Sequence, residues 1–256
     1  RTGKPVCFSN IVGEWEAFHL WDLDFFARIG KGIDIVVSSG VEESEEREKC
    51  EKSNMTLSQL AKSLQKGIDV GYMKQQDLRN IPILQHHVCN PSIFGKWTIF
   101  GSKYLWIGPE GAMTGLHNDD ENNILCQIRG TKTVKLFPPT AGRYLYRNKK
   151  YDSGTICCDF DAFQDPKLAY LKFPEARKAG QALVFELKPG DMLYIPKFWY
   201  HQVLTTSQYS ISINHFASTP REFLRHGFIR SICSFLHWMG VYGVGSGCVC
   251  CGNKGT

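Results

Sequence analysis

The segment Thr114-Gly115-Leu116-His117-Asn118-Asp119 sets an imidazole and a carboxylate two positions apart. On a β-strand alternate side chains share a face, so His117 and Asp119 project to one side with backbones roughly 7 Å apart. Such a pair supplies two adjacent ligands for a divalent metal. His201 offers a third: it follows the strand-like run Gly190-Asp191-Met192-Leu193-Tyr194-Ile195-Pro196 and the pair Trp199-Tyr200, and begins the next strand. Two imidazoles and a carboxylate on one face leave three coordination positions open, the arrangement of non-haem Fe(II) oxygenases. Asp120 faces the other way in this reading and does not bind. His-x-Asp alone recurs by chance in many proteins, so its neighbours decide its weight.

Lys132 is the first such neighbour. It follows the Gly130-Thr131 turn and shares its parity with Val134 and Leu136, which places it inside a barrel. An inward ammonium is costly without an anion. A dicarboxylic cosubstrate supplies one, its far carboxylate on Lys132 and its 2-oxo acid end on the metal. Thr114 can donate its hydroxyl to the same carboxylate. The competing reading of Lys132 is a strand-end lysine that runs its stem along the sheet and keeps its head in water. Met113, Trp199 and Tyr200 read as core ahead of pocket lining.

The elements that must hold these residues divide the chain in three. Residues 1–95 read as a helical or irregular lead-in packed on a barrel, with Leu57, Leu60, Ala61 and Leu64 on one helical face behind an N-cap at Asn54 or Thr56. Residues 96–218 read as the barrel core. Within it, 97–100 and 104–107 flank Gly101-Ser102-Lys103 as one hairpin, and 123–127 and 132–137 flank Arg129-Gly130-Thr131 as a second. A mostly polar insert occupies 139–180, and strands are expected at 182–187, 191–195, 202–206 and 209–216. Eight or so short strands with glycine-bearing turns predict a mainly β sandwich or barrel with flanking helices. Residues 219–256 read as a helix followed by a Gly/Cys-rich tail. The helix carries an apolar stripe of Phe223, Leu224, Phe228, Ile232, Phe235 and Leu236, which packs on its own barrel or on a second copy.

Composition excludes more than it identifies. The 256 residues carry 30 Lys+Arg against 25 Asp+Glu, a net charge of +5, so nucleic-acid binding is permitted and not indicated. The acidic run between Glu42 and Glu51 reads as a solvated face. No apolar run reaches the roughly 18–20 residues that span a bilayer as a helix, which excludes a membrane-spanning helix. The ten cysteines lack the spacing of a disulfide framework and suit a reduced compartment, cytoplasm or nucleus. Cys233, His237 and Cys248-Val249-Cys250-Cys251 match no standard zinc spacing and read as an incidental thiol cluster. His86 and His87, adjacent in the chain, diverge, and His215 faces away from Asn214 in a structural role.

Several separated motifs together resemble the JmjC domain of the cupin-8 type. They are Trp106-Ile107-Gly108-Pro109-Glu110-Gly111, then Thr114 to Asp119, then Asn122-Asn123-Ile124-Leu125-Cys126-Gln127-Ile128-Arg129-Gly130-Thr131-Lys132, then Leu136-Phe137-Pro138-Pro139. Pro189 to Pro196, Trp199-Tyr200-His201 and Ile211-Ser212-Ile213-Asn214-His215-Phe216 continue the pattern in order. The resemblance runs from about Tyr72 to Phe216 and is nearest the small JmjC-only hydroxylases: the asparaginyl and arginyl protein hydroxylases and the tRNA wybutosine hydroxylase. It implies a double-stranded β-helix, a jelly-roll of the cupin kind, using Fe(II), 2-oxoglutarate and O2. Residue by residue, it implies His117, Asp119 and His201 as iron ligands and Lys132 and Thr114 at the cosubstrate's far carboxylate. Tyr72 matches a tyrosine that lines the cosubstrate or substrate pocket, and Asn123 and Asn214 match polar residues near the 2-oxoglutarate. The implied activity is hydroxylation of a protein side chain with decarboxylation of 2-oxoglutarate to succinate and CO2. The same chemistry on a tRNA nucleoside and a non-catalytic metal-binding cupin are the alternatives. A homodimer through the C-terminal helix stays open.

Overall fold

The computed structural model describes residues 3–40, 50–91, 98–152 and 155–241. Most of the acidic run and the three tail cysteines therefore lie outside the described residues. The chain opens with β1 (Val6–Phe8), α1 (Glu16–Leu20), α2 (Leu23–Ile29), β2 (Asp34–Ser38), β3 (Lys52–Thr56), α3 (Leu57–Gln65), β4 (Met73–Asp77) and α4 (Pro82–Gln85). Then come β5 (Ile99–Pro109), β6 (Met113–Asn118), β7 (Asn122–Arg129), β8 (Lys132–Phe137), β9 (Arg147–Asp152), β10 (Thr155–Cys158) and α5 (Pro166–Lys172). The last are β11 (Leu183–Leu187), β12 (Met192–Ile195), β13 (Tyr200–Thr205), β14 (Tyr209–Ser218) and α6 (Pro220–Trp238).

Two antiparallel six-stranded sheets carry the fold. The major sheet runs β1-β12-β7-β14-β5-β4 and the minor sheet β11-β8-β13-β6-β10-β9, while β2 and β3 pair with each other. Strand alternation explains how the sheets bury both faces. On the major sheet Leu105, Ile107, Ile124, Cys126, Ile128, Ile211 and Ile213 turn outward into a cluster with Trp21, Phe26, Leu57, Leu60 and Leu64 of the N-terminal helices. Its inner residues Leu125, Leu193 and Ile195 meet Val134, Leu136 and Leu187 of the minor sheet. The run Ile124-Leu125-Cys126 is apolar at every position because both sides are covered. The outer face of the minor sheet, through Leu116, Phe137 and Tyr200, packs against Leu145, Cys158, Phe160 and Phe173 of the 139–180 segment. Trp199 and Tyr200 are core, and helix α3 starts at Thr56, where a capping box with Gln59 satisfies the first free N–H groups.

The mainly β, cupin-like architecture with flanking helices matches the expectation; several elements do not. The hairpin expected at 97–107 is one strand, β5, paired with β14 from Ile99↔Ser218 to Pro109↔Tyr209. Between its pairs with His215 and Ala217, two residues of β5, Gly101 and Ser102, oppose Phe216 alone and form a β-bulge instead of a turn. The second expected hairpin is no hairpin, because β7 belongs to the major sheet and β8 to the minor. Its glycine throws the chain from one sheet to the other. The lead-in, expected to be helical or irregular, contributes β1 and β4 to the edges of the major sheet. Three-residue β1 is too short to show a period, and Met73-Lys74-Gln75-Gln76-Asp77 has no apolar alternation; both take their order from neighbouring strands. The 139–180 segment likewise adds β9 and β10 to the minor sheet. On α6, Leu224, Phe228, Ile232 and Phe235 are exposed, so the packing of this stripe on its own barrel is not made by these side chains.

The sheet-to-sheet crossing depends on Gly130. It has φ +68°, and a Cβ there would collide with the Tyr209 carbonyl oxygen and Ser207 Oγ. Ser207 Oγ is itself engaged, accepting from Thr131 N at 2.8 Å and donating to Tyr209 O at 2.6 Å. Gly130→Ala is expected to lower the unfolding free energy by about 1–3 kcal/mol in urea titrations. Gly32→Ala, at an exposed glycine with open space where its Cβ would lie, serves as the neutral control.

Candidate metal centre

The geometry starts with an irregularity in β6. Opposite β13, His117 pairs with His201 and Thr114 with Val203, so two residues of β6, Gly115 and Leu116, face Gln202 alone. The extra residue is a β-bulge at Gly115-Leu116. Strict alternation would set Thr114 and His117 on opposite faces; the bulge turns both inward and sends Leu116 out to the 139–180 segment. It also aims the Gly115 carbonyl at His117, whose Nδ1 donates to it at 2.7 Å. His201 repeats the device, its Nδ1 donating to the Trp199 carbonyl at 3.1 Å. Each imidazole thus commits its N–H to the backbone and keeps the Nε2 lone pair free for an electrophile.

Asp119 lies where these lone pairs converge. Its oxygens are 4.0 Å from His117 Nε2 and 3.6 Å from His201 Nε2, and the potential ligand atoms all fall within 4.8 Å of one another. One ion about 2 Å from each could satisfy all three. Burial, reinforced by the neighbouring His117 and opposed by Asp119, holds the His201 pKa below its ordinary value, so the ring stays in the neutral form a metal needs. The carboxylate is held too. Asn214 Nδ2 donates to Asn123 Oδ1 at 2.6 Å, and Asn123 Nδ2 donates to Asp119 Oδ2 at 3.2 Å. The Asp119 carbonyl accepts from Phe198 N at 2.7 Å, and Phe198 adopts the strained φ of +68° to make that bond.

Lys132 sits deeper between the sheets, 2 % exposed. Its Nζ donates to Ser212 Oγ at 2.8 Å and to Tyr72 OH at 3.1 Å, both neutral acceptors. Burial, with no compensating carboxylate among the described residues, pushes its pKa down to about 7. The Tyr72 ring reaches this position because Gly108 of β5 leaves the space; a methyl group there would overlap it.

All eight residues singled out from the sequence, Tyr72, Thr114, His117, Asp119, Asn123, Lys132, His201 and Asn214, line one open-mouthed pocket. Sequence reasoning missed Ser212, although its parity with Asn214 was available, and Gln75, which reaches the pocket from a strand with no apolar alternation. Among the described residues, His87 and His215 stay apart from it. His87 accepts from Trp21 Nε1 at 2.9 Å, and His215 packs between Trp15 and Phe100 on the outer face of the major sheet.

Comparison with known proteins agrees with this architecture. A family model described as a cupin-like domain matches residues 1–222. The Jumonji C domain-containing protein 5 of Drosophila melanogaster is 28% identical over 217 residues, 79% of this chain and 52% of that protein. The lysine-specific demethylase JMJ30 of Arabidopsis thaliana is 27% identical over 86% of this chain and 51% of its own length. The human HSPB1-associated protein 1 is 26% identical over 86% of this chain and 49% of its own. The chain therefore spans about half the length of the curated relatives it matches.

The buried lysine makes a stability prediction. A folded-state pKa of about 7 against an ordinary 10.5 means that the unfolded chain binds more protons between these values. Folding stability from this group is therefore fully present above pH 10.5 and is lost as pH falls towards 7. Lys132→Met is expected to be more stable than the parent at pH 7 in urea titrations without added carboxylates. That advantage should shrink steadily as pH rises to 10; a pH-independent difference would contradict the assignment.

Proposed function

The chain belongs to the cupin-like domain family, in its JmjC branch, and from that premise we propose that it is an Fe(II)- and 2-oxoglutarate-dependent dioxygenase hydroxylating a protein side chain. One observation carries the reading: two imidazole lone pairs and a carboxylate converge in the same pocket as a buried ammonium whose hydrogen-bond acceptors among the described residues are hydroxyls. The donor set suits a first-row divalent ion with positions left open, and the ammonium suits the far carboxylate of a 2-oxo diacid.

His117, Asp119 and His201 would hold the iron, and Lys132, Thr114 and Tyr72 the far carboxylate of 2-oxoglutarate. Bound Fe(II) supplies O2 activation, by which decarboxylation of 2-oxoglutarate to succinate and CO2 is coupled to insertion of one oxygen atom into an unactivated C–H bond. The rest is the chain's own work. The backbone carbonyls of Gly115 and Trp199 fix which imidazole nitrogen faces the centre. Asn123 and Asn214 anchor the carboxylate from the major sheet. Trp106, Leu125, Ile195, Val203 and Phe216 give the pocket an apolar wall that keeps water from the reacting atoms.

The Arabidopsis relative is named a lysine-specific demethylase. Removing an N-methyl group begins with hydroxylation of its C–H bond, after which the carbinolamine releases formaldehyde, so that activity asks for the same centre. Cytoplasm or nucleus suits a chain whose cysteines lack the spacing of a disulfide framework. Among the described residues no helix is long and apolar enough to cross a membrane. The apolar side chains left exposed on α6 fit the homodimer that the sequence left open.

Succinate release from 2-oxoglutarate with Fe(II) tests the activity. The chain should turn over, and His117→Ala should fall by at least about 100-fold. Absence of turnover with candidate peptides and tRNA supplied would favour the non-catalytic cupin. Mass spectrometry of the same reactions should find the gain of one oxygen atom, or the loss of a methyl group, on peptide; a gain on tRNA alone would move the substrate to a nucleoside.

A further inference from the structure

The 139–180 segment is more than an outer cover for the minor sheet. Its strand β10 pairs with β6, Ile156 opposite Asn118 and Cys157 opposite His117. One step further along this antiparallel register brings Thr155 beside Asp119. Alternation then puts Thr155 and Cys157 on the inner side with His117 and Asp119, while Ile156 turns outward and is 37% exposed. Thr155 Oγ1 donates to Asp119 Oδ1 at 3.2 Å.

This contact completes a pattern. Asp119 Oδ2 takes its hydrogen bond from Asn123, on the major sheet, and Oδ1 takes its own from Thr155, on the minor sheet. A carboxylate that receives one donor per oxygen, from two separate sheets, cannot rotate about its Cβ–Cγ bond without breaking one of them. Its plane is fixed relative to the Nε2 atoms of His117 and His201.

We propose that Thr155 is a positioning residue for the metal centre: its hydroxyl locks the Asp119 carboxylate so that a divalent ion meets a preset ligand. The proposal rests on the metal-binding reading of His117, Asp119 and His201 and extends it to a residue outside that set. With the hydroxyl gone, Oδ1 loses its donor, the carboxylate is free to turn, and metal binding must then bear the cost of ordering it. Hydrogen-bond partners of metal ligands typically change affinity 10–100-fold when removed. Thr155 is therefore the point through which a segment remote from the motifs controls the site.

The test uses the full chain and Co(II) alone, without 2-oxoglutarate and without turnover. Thr155→Val keeps the shape of the side chain and removes the donor; Thr155→Ser keeps the donor and removes a methyl group. Calorimetric titration should show Co(II) bound about 10-fold or more weakly by Thr155→Val, with Thr155→Ser close to the parent. The visible absorption of bound Co(II), which reports ligand geometry, should shift in Thr155→Val and not in Thr155→Ser. Parent-like affinity and spectrum in Thr155→Val would overturn the proposal while leaving the metal centre standing. Equal weakening in both variants would also overturn it, since the methyl group and not the hydroxyl would then matter. Failure of the parent chain itself to bind Co(II) would remove the metal-binding reading together with the proposal.

Discussion

A carboxylate as enclosed as that of Asp119 has to be compensated on both of its oxygens, and here the compensation comes from two sheets at once. Asn123 donates from β7, whose opposite face is buried against the helical layer, and Thr155 from β10, whose opposite face buries Cys158 against the 139–180 segment. The position of the carboxylate is consequently tied to the packing of the helical layer on one side and of the 139–180 segment on the other. The bulge in β6 serves the same end: it spends a residue of regular pairing to bring Thr114, His117 and a backbone carbonyl to bear on one point. Everything chemical in the pocket follows from how firmly the two sheets hold these groups against each other.

That arrangement trades stability for function in a visible way. Lys132 holds an ammonium between sheets whose inner faces also carry the buried Leu125, Val134, Leu136, Leu193 and Ile195. Two hydroxyls accept from its three N–H groups without neutralising its charge, and burial lowers its pKa. A fold selected only for stability would place an apolar side chain there. The strained backbone of Phe198 beside Asp119 has the same character, a local cost borne where the chain must reach the carboxylate's own backbone.

Some of this was legible from single residues. The separation of two between His117 and Asp119 reports a shared face on any strand, and Lys132 reports its inward direction through Val134 and Leu136. The helical face of Leu57, Leu60, Ala61 and Leu64 and its cap at Thr56 were equally readable, because period and cap chemistry are local. The hairpins were not. Gly101 and Gly130 announce a break in regular pairing, but the same glycine chemistry serves a bulge in one strand and a crossing between sheets in the other. Strands β1, β4 and β9 carry no pattern of their own, since an edge strand takes its shape from the partner that supplies its hydrogen bonds.

Thr114 and Thr155 mark the boundary. Three positions from His117, Thr114 belongs on the wrong face by alternation, and only the bulge opposite β13 admits it to the pocket. Thr155 lies in a polar segment with no motif, and only the pairing of β10 with β6 brings its hydroxyl to Asp119. By itself, the sequence determined the types and parity of the ligand set, the inward lysine and the mainly β class, because each is a property of one strand read along its own period. The tertiary structure decided which sheet each strand joined, where the register slipped and which remote side chain closed the carboxylate's hydrogen bonds. Those depend on pairings between segments far apart in the chain, where packing and not local pattern selects the partner.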